Sequence, residues 1–234
     1  MISIKASIPY NRAKMAFLDI KFGVLRTLRR NKLSTTGYEA GYSPETDVLP
    51  VLSRGGSSVV ANEKRSICHE KGLLHPTVHL FIFNDEGQIL IQKRGRKKDA
   101  SAGKLSQSVG GHVSDVPVGK TIVGGRYMGK TAFKESKEEV GILPYKIELL
   151  KFFGYQSNEG KNNEFVGLYR AFYDKKINKQ VGLRFSPNLT ELEWAGFFSF
   201  EGILKLAKQS PHLFAPSFLK DISEYHRWEQ GDLT

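Results

Sequence analysis

The stretch GGRYMGKTAFKESKEEVGI, residues 124–142, contains two patterns that cannot both define the fold. Its left end matches the P-loop pattern G-x-x-x-x-G-K-T of nucleotide-binding proteins at Gly124, Gly129, Lys130 and Thr131. Its right end places three carboxylates at the helical spacing i, i+3 and i+4, namely Glu135, Glu138 and Glu139. On a helix this spacing puts the three side chains on one face, where their oxygens suit a hard divalent cation. The surrounding sequence decides between the two patterns.

The surrounding segments do not supply the context of a P-loop, which needs a strand before it, a helix after it and parallel βαβ units around it. Two hairpins with glycine-containing turns are predicted instead, from residues 47–53 with 57–61 and from residues 76–84 with 88–94. The P-loop pattern fixes only four positions, so chance matches to it are common. The carboxylate pattern is therefore preferred, and a helix is predicted over residues 128–140.

The remaining hydrophobic periodicity completes the predicted order of elements. It indicates strands over residues 146–157, 163–174 and 192–200, and helices over residues 62–72, 202–209 and 217–228. Strands that pair as hairpins and are interrupted by one central helix are typical of an α+β fold with a mixed sheet, not of a doubly wound one.

Composition limits the class of protein. The chain has 234 residues, a formal net charge of +11 and a single cysteine, Cys68. One cysteine forms no internal disulfide, so a reducing compartment, the cytoplasm, is predicted. No apolar run reaches the length of a membrane-spanning helix. The positive charge indicates an anionic partner: a nucleotide, a diphosphate, a nucleic acid or a membrane surface.

The first 45 residues are predicted to be a basic extension that precedes a domain of residues 46–234. Within the extension, four apolar residues recur at helical spacing: Phe17, Ile20, Val24 and Leu28. Such a helix either packs its apolar stripe on the main domain, contacts a membrane surface or nucleic acid, or serves as an organelle address. The sequence leaves these alternatives open.

The carboxylate stretch resembles a known family motif. KESKEEVGI is similar to the second half of the Nudix box, G-x5-E-x7-R-E-U-x-E-E-x-G-U, where U is aliphatic, and SVGGHV at 108–113 resembles its usual lead-in. The likeness continues, in family order, at residues 72–79, 98–99, 103 and 162–165. Together these segments resemble the Nudix branch of isopentenyl-diphosphate isomerase and its hydrolase relatives. The resemblance implies an α/β/α sandwich with a mixed β-sheet and a central metal-binding helix.

The box also departs from the family pattern. About nine extra residues lie between His112 and Lys134, within an insertion at 114–125. Arg126 stands where the family has its first glutamate, and Lys134 replaces the arginine that forms a structural ion pair with it. Ser136 takes the place of an aliphatic core residue. In this interpretation the G-K-T pattern is an accident of the insertion.

The resemblance implies a hydrolase that cleaves a diphosphate linked to another moiety, X, with Mg²⁺ or Mn²⁺ as cofactor. It assigns the metal to Glu135, Glu138 and Glu139, of which the last two are candidate catalytic residues. Glu164 is a candidate further ligand or general base. The candidate substrate-binding residues are Arg94, Lys98, Gly111 and His112.

Two alternatives remain open. The isomerase holds its metal with histidines and glutamates, a set that His69, His75, His112 and Glu164 resemble. Gly110 stands at the position of its catalytic cysteine, however, so isomerase activity is predicted to be absent. A non-catalytic Nudix domain that binds a ligand, RNA or protein is the second alternative. Neither the identity of X nor the oligomeric state is predicted by the sequence.

Overall fold

The computed structural model describes residues 47–98, 100–122, 126–156 and 162–231. The predicted basic extension and its amphipathic helix lie outside these residues, and that part of the analysis stays a prediction. Among the described residues, none of the helices has both the length and the apolar character required to cross a membrane.

Nine strands are present in the part of the chain that the structure describes. They are β1 (Val48–Leu52), β2 (Val59–Lys64), β3 (His75–Phe83), β4 (Gln88–Arg94), β5 (Leu105–Ser106), β6 (Val109–His112), β7 (Lys146–Gln156), β8 (Asn163–Phe172) and β9 (Leu192–Ser199). β1 and β2 form a separate hairpin, and the other seven form one sheet with the central order β5-β4-β3-β8-β7. β3 and β8 run parallel, while their other pairings are antiparallel. The predicted mixed sheet is confirmed.

Five α-helices connect or cover these strands in the described ranges. They are α1 (Arg65–Glu70), α2 (Arg126–Val140), α3 (Lys175–Gln180), α4 (Phe200–Gln209) and α5 (Pro216–Glu229), with a short 3₁₀ helix at Pro211–Leu213. The sequence did not predict α3, whose six residues are too few for a clear apolar period. Its start is set by Asp174, whose carboxylate accepts hydrogen bonds from the backbone N–H groups of Lys176 and Ile177.

Two apolar cores lie on opposite faces of the seven-stranded sheet. On one face, Val78, Leu80 and Ile82 of β3 pack with Met128 and Ala132 of α2. The other face carries a second cluster that includes Phe81 and Phe83 of β3, Ile203 of α4, and Phe218 and Ile222 of α5. Adjacent residues of a strand point to opposite faces of the sheet. The apolar residues of β3 therefore contribute to both cores. The expected α/β/α sandwich is confirmed.

The sheet opens into a fork that positions the candidate site. β3 and β4 pair beside their turn, at Phe83 and Ile89. Farther from the turn, β3 pairs with β6 through Thr77–Leu80, whereas β4 pairs with β5 and β9. Ser108 joins the two branches, because its hydroxyl accepts from the Ile82 N–H at 2.8 Å and donates to the Leu90 carbonyl at 2.6 Å. β5 and β6 are too short and too rich in glycine and serine to have been predicted.

Candidate metal and diphosphate site

The G-K-T pattern lies inside a helix, not in a loop. The helix α2 begins at Arg126. Its first two turns therefore contain Gly129, Lys130 and Thr131. Lys130 is exposed, and the Thr131 hydroxyl donates to the Tyr127 carbonyl one turn earlier at 3.1 Å. Their backbone N–H groups are therefore not arranged to surround a phosphate. This geometry agrees with rejection of the P-loop interpretation.

We therefore expect Lys130→Ala and Thr131→Ala to leave turnover and nucleotide affinity within a few-fold of the wild type. A P-loop lysine contacts the phosphates directly, so its loss would have a far larger effect. Steady-state kinetics and a nucleotide titration on both variants test this expectation. Abolished nucleotide binding in Lys130→Ala would restore the P-loop interpretation.

Glu139, near the end of α2, is buried and hydrogen-bonded to the fork. Its Oε2 accepts from Nε2 of Gln92 on β4 at 2.9 Å. Burial, followed by repulsion from Glu135, raises the pKa of Glu139 to about 8. The Oε1 of Gln92 is buried without a hydrogen-bond partner among the described residues. A buried carboxylate of this kind resists ionisation, and a bound cation would relieve the cost.

Glu135 lies one turn before Glu139 and packs against the backbone of β6. A Cβ built on Gly111 would lie 2.5 Å from the Glu135 carboxyl carbon, so only glycine allows this approach. Burial raises the Glu135 pKa to about 7. The approach places Glu135 beside the residue that precedes His112. Gly111 was predicted to bind substrate. In the structure its lack of a side chain lets the Glu135 carboxylate pack against β6.

Glu138 is the most exposed of the three glutamates. Its side chain is 54% exposed, and its Oε2 lies 3.8 Å from the Lys134 ammonium, which is also 3.8 Å from Oε1 of Glu135. Lys134, in the position of the family's arginine, therefore pairs with two predicted metal ligands. Ser136 is fully buried and donates to the Ala132 carbonyl at 2.7 Å, which satisfies its hydroxyl inside the core.

Three histidines from separate elements converge on the other side of β6. His69 lies on α1, His75 begins β3 and His112 ends β6. Their ring centroids are 5.1–5.3 Å apart, and one ligand nitrogen from each lies within 4.8 Å of the others. The Nε2 atoms of His69 and His112 are 3.3 Å apart. This is the group of metal-ligating side chains that meets this distance criterion within the described ranges.

Two histidines of the cluster, His75 and His112, favour the neutral form that binds metal. Nδ1 of His75 is held 2.8 Å from the Leu73 carbonyl, which leaves Nε2 as the acceptor nitrogen. That Nε2 is buried and has no hydrogen-bond partner among the described residues. Burial lowers the His75 pKa to about 4 and holds the His112 pKa well below its ordinary value. A neutral imidazole such as that of His75, with an acceptor Nε2, fits a divalent ion.

Glu164 lies next to the cluster, because β3 and β8 are parallel and pair His75 with Glu164. Its Oε1 accepts from the Asn162 amide at 2.9 Å and lies 3.9 Å from Nε2 of His112. Burial raises the pKa of this carboxyl group. The structure therefore brings the predicted site residues Glu164 and His112 close to His69 and His75. The sequence analysis named these two histidines only through the resemblance to the isomerase.

The predicted phosphate-binding cations lie on the β4 side of the fork. Arg94 donates from Nε to the Ala100 carbonyl at 3.0 Å and interacts electrostatically with Glu139 and Glu164. Lys98 is bound to Glu191 at 2.8 Å. Sequence reasoning missed Glu191, which lies before β9 and raises the pKa of Glu139. No local pattern marks it, since its proximity depends on the turn at Gly95, whose N–H donates to the Glu191 carbonyl.

Comparison with known proteins identifies the family. The sequence pattern of the NUDIX domain matches residues 73–216, which is more than half of the chain. The chain belongs to the Nudix family. The match runs from β3 to the start of α5 and includes α2 and β8, which carry the four glutamates of the candidate site.

Individual relatives come from the branch that the motif resembled. Human isopentenyl-diphosphate delta-isomerase 2 is 28% identical over 196 residues, which cover 78% of this chain and 84% of that protein. Nudix hydrolase 3 of Arabidopsis thaliana is 32% identical over 126 residues, 51% of this chain and 15% of that protein. The solved structure of DR0079 from Deinococcus radiodurans superposes with a TM-score of 0.56 at 18% identity and covers 76% of this chain and 98% of that one. This chain and DR0079 therefore share a fold.

Proposed function

We propose that this protein is a divalent-metal-dependent hydrolase that cleaves the diphosphate bond of a nucleoside-diphosphate-X or another organic diphosphate. The observation that carries the proposal is the position of β6. Gly111 touches Glu135 of the Nudix helix, while its neighbour His112 joins the histidine cluster on the other side. Two sets of potential metal ligands thus flank one strand, and the cations Arg94 and Lys98 lie on the facing branch of the fork.

Two groups of residues would hold the metal ions. Glu135, Glu138 and Glu139 offer oxygen ligands, which suit Mg²⁺ or Mn²⁺. His69, His75 and His112 offer imidazole nitrogens, with Glu164 beside them at 3.9 Å. When bound, such ions neutralise phosphate oxygens and lower the pKa of a coordinated water.

The protein's own groups account for the remaining chemistry. Arg94 and Lys98 orient the diphosphate between the two branches of the fork by charge-assisted hydrogen bonds. Glu164, whose pKa is raised by burial, is the candidate base that accepts a proton from the attacking water. Gln92 fixes the orientation of Glu139 by its hydrogen bond of 2.9 Å.

A substrate screen tests the proposal. The full chain is incubated with Mg²⁺ or Mn²⁺ and a panel of ADP-ribose, UDP-glucose, NADH, diadenosine tetraphosphate, coenzyme A and geranyl diphosphate, and the phosphate-containing products are separated by chromatography. At least one diphosphate should be cleaved in a chelator-sensitive reaction. If the folded wild type cleaves no member and instead binds one unchanged, or binds RNA, the non-catalytic alternative holds.

The isomerase reaction of several relatives should be absent. We expect no dimethylallyl diphosphate from isopentenyl diphosphate and Mg²⁺, because isomerisation needs an acid and a base on opposite faces of a carbon centre. Gly110 supplies neither. A Cβ at Gly110 would also lie 2.5 Å from Nε2 of Gln107, so the site has no room for a thiol side chain without movement of that amide. Mass-resolved chromatography after dephosphorylation detects the allylic isomer; its formation above the no-enzyme control would contradict this prediction.

A further inference from the structure

A buried histidine and carboxylate outside the two metal-ligand groups form a pair that the proposed function has not yet used. Nδ1 of His79, on β3, lies 2.9 Å from both carboxylate oxygens of Asp221 on α5. The two residues are 142 positions apart in sequence. Asp221 is fully buried, and the His79 side chain is 7% exposed. A carboxylate in this position fixes both the tautomer and the orientation of an imidazole ring.

The free edge of the His79 ring faces the fork. Its Cδ2 lies 3.5 Å from the position that a Cβ on Gly110 would occupy, which places the ring in contact distance of β6. Cδ2 is bonded to Nε2, which makes no hydrogen bond to another residue among those the structure describes. The nitrogen opposite Asp221 is thus the one left available on the side of β6.

Charged and titratable groups face His79 from every element around it. They are Asp221 from α5, Glu164 from β8, Arg94 from β4 and His112 from β6. Burial lowers the His79 pKa, but the charge and hydrogen bond of Asp221 more than offset this effect, so the pKa is raised above its ordinary value. The pair therefore favours the imidazolium, which carries a proton on Nε2, more than an isolated histidine does.

We infer that His79, oriented by Asp221, is a catalytic residue that donates a proton from Nε2 to the leaving oxygen of the diphosphate substrate. The inference rests on the proposed hydrolase function. The oxygen of the attacking water forms a bond to phosphorus, and the bond from phosphorus to the leaving oxygen breaks. One proton of the water passes to a carboxylate of the site, for which Glu164 is the candidate. The leaving oxygen takes the proton of His79, and exchange with solvent restores both groups.

Kinetics of three variants test this role on the panel member that the wild type cleaves fastest. His79→Gln keeps a polar group against Asp221 and should lower kcat by roughly 10²-fold, with KM within a few-fold, since general acid catalysis contributes 10²–10⁴-fold. The wild-type kcat should fall at alkaline pH, where His79 loses its proton. This alkaline limb of the pH profile should be absent in His79→Gln. In Asp221→Asn the limb should move to lower pH, because the charge that raises the His79 pKa is gone.

Glu224→Gln is the matched structural control. Glu224 is also buried on α5 and binds Lys151 of β7 at 3.0 Å, so its loss should lower the thermal midpoint while kcat at neutral pH stays unchanged. Wild-type-like kcat in folded His79→Gln would overturn the inference. If that variant does not fold, an unmoved limb in Asp221→Asn would overturn it. These outcomes leave hydrolysis intact, whereas an inactive wild type overturns the proposed function and the inference with it.

Discussion

Glutamine in place of Glu139 should lower the kcat of diphosphate hydrolysis by about 10²–10⁴-fold while the protein stays folded. Glu139 is the glutamate of the Nudix helix that the structure buries most deeply, at 7% exposure, and Gln92 holds its carboxylate toward the fork. Glutamine fits the same volume and keeps the hydrogen bond from Gln92. It removes only the negative charge that a metal ion and a coordinated water require.

Stability should move in the opposite direction to activity. The folded state raises the Glu139 pKa to about 8, so ionisation of this group opposes folding as the pH rises from the ordinary carboxyl range toward that value. Glutamine does not ionise and removes this cost. At neutral pH and without metal, we expect Glu139→Gln to unfold at the same urea concentration as the wild type or at a higher one.

The exposed Glu201 on α4 provides a matched control, since Glu201→Gln removes the same charge from a helix far from the fork in sequence. Its kcat should equal that of the wild type. The variant Glu138→Gln tests whether the exposed glutamate also binds metal, as the family motif implies. Its kcat should be lower than that of the wild type by orders of magnitude. Unchanged rates in both Glu138→Gln and Glu139→Gln would remove the Nudix helix from the mechanism.

Local sequence patterns predicted the helices and strands that are determined by residues close together in the sequence. The hairpin of β3 and β4 was predicted because two apolar runs flank a short polar turn that ends in Gly87. The end of α2 agrees with Gly141, whose positive φ of 71° is a backbone conformation that favours glycine after a helix. The hairpin and the end of α2 both depend on residues that are neighbours in sequence, so one sequence is enough to predict them.

The parts of the candidate site that depend on distant neighbours were not predicted from residue spacing. His69, His75 and His112 have no spacing that indicates a common ligand, and only the parallel pairing of β3 with β8 and the fork at β6 bring the cluster and Glu164 together. The same holds for His79 and Asp221. The sequence also predicted that three glutamates share one helix face; the structure adds that the Glu138 side chain is 54% exposed and that Lys134 lies 3.8 Å from a carboxylate oxygen of both Glu135 and Glu138.

Addition of Zn²⁺ or Mn²⁺ to metal-free protein should raise the thermal midpoint of unfolding by about 5–10 °C through the histidine cluster. A ligand at a concentration 100-fold above its Kd contributes about 2.7 kcal/mol, and a domain of this size gains about 2–4 °C per kcal/mol. His75 supplies the strongest reason, since its open Nε2 is buried without a partner among the described residues and its pKa of about 4 keeps the ring neutral. His75→Gln should therefore lose most of the metal-induced shift.

The effect should be confined to the cluster. His212 lies exposed in the 3₁₀ helix, and His212→Gln should keep the full shift, which separates binding at the cluster from general histidine affinity for these ions. Mg²⁺ should give a smaller shift in the same assay, because imidazole nitrogen is a poor ligand for it, and that shift should depend on Glu139 and not on His75. Equal shifts with Zn²⁺ in the wild type and in His75→Gln would show that the three imidazoles do not hold a metal. The buried Nε2 of His75 would then have to be satisfied by water or by a group of the substrate.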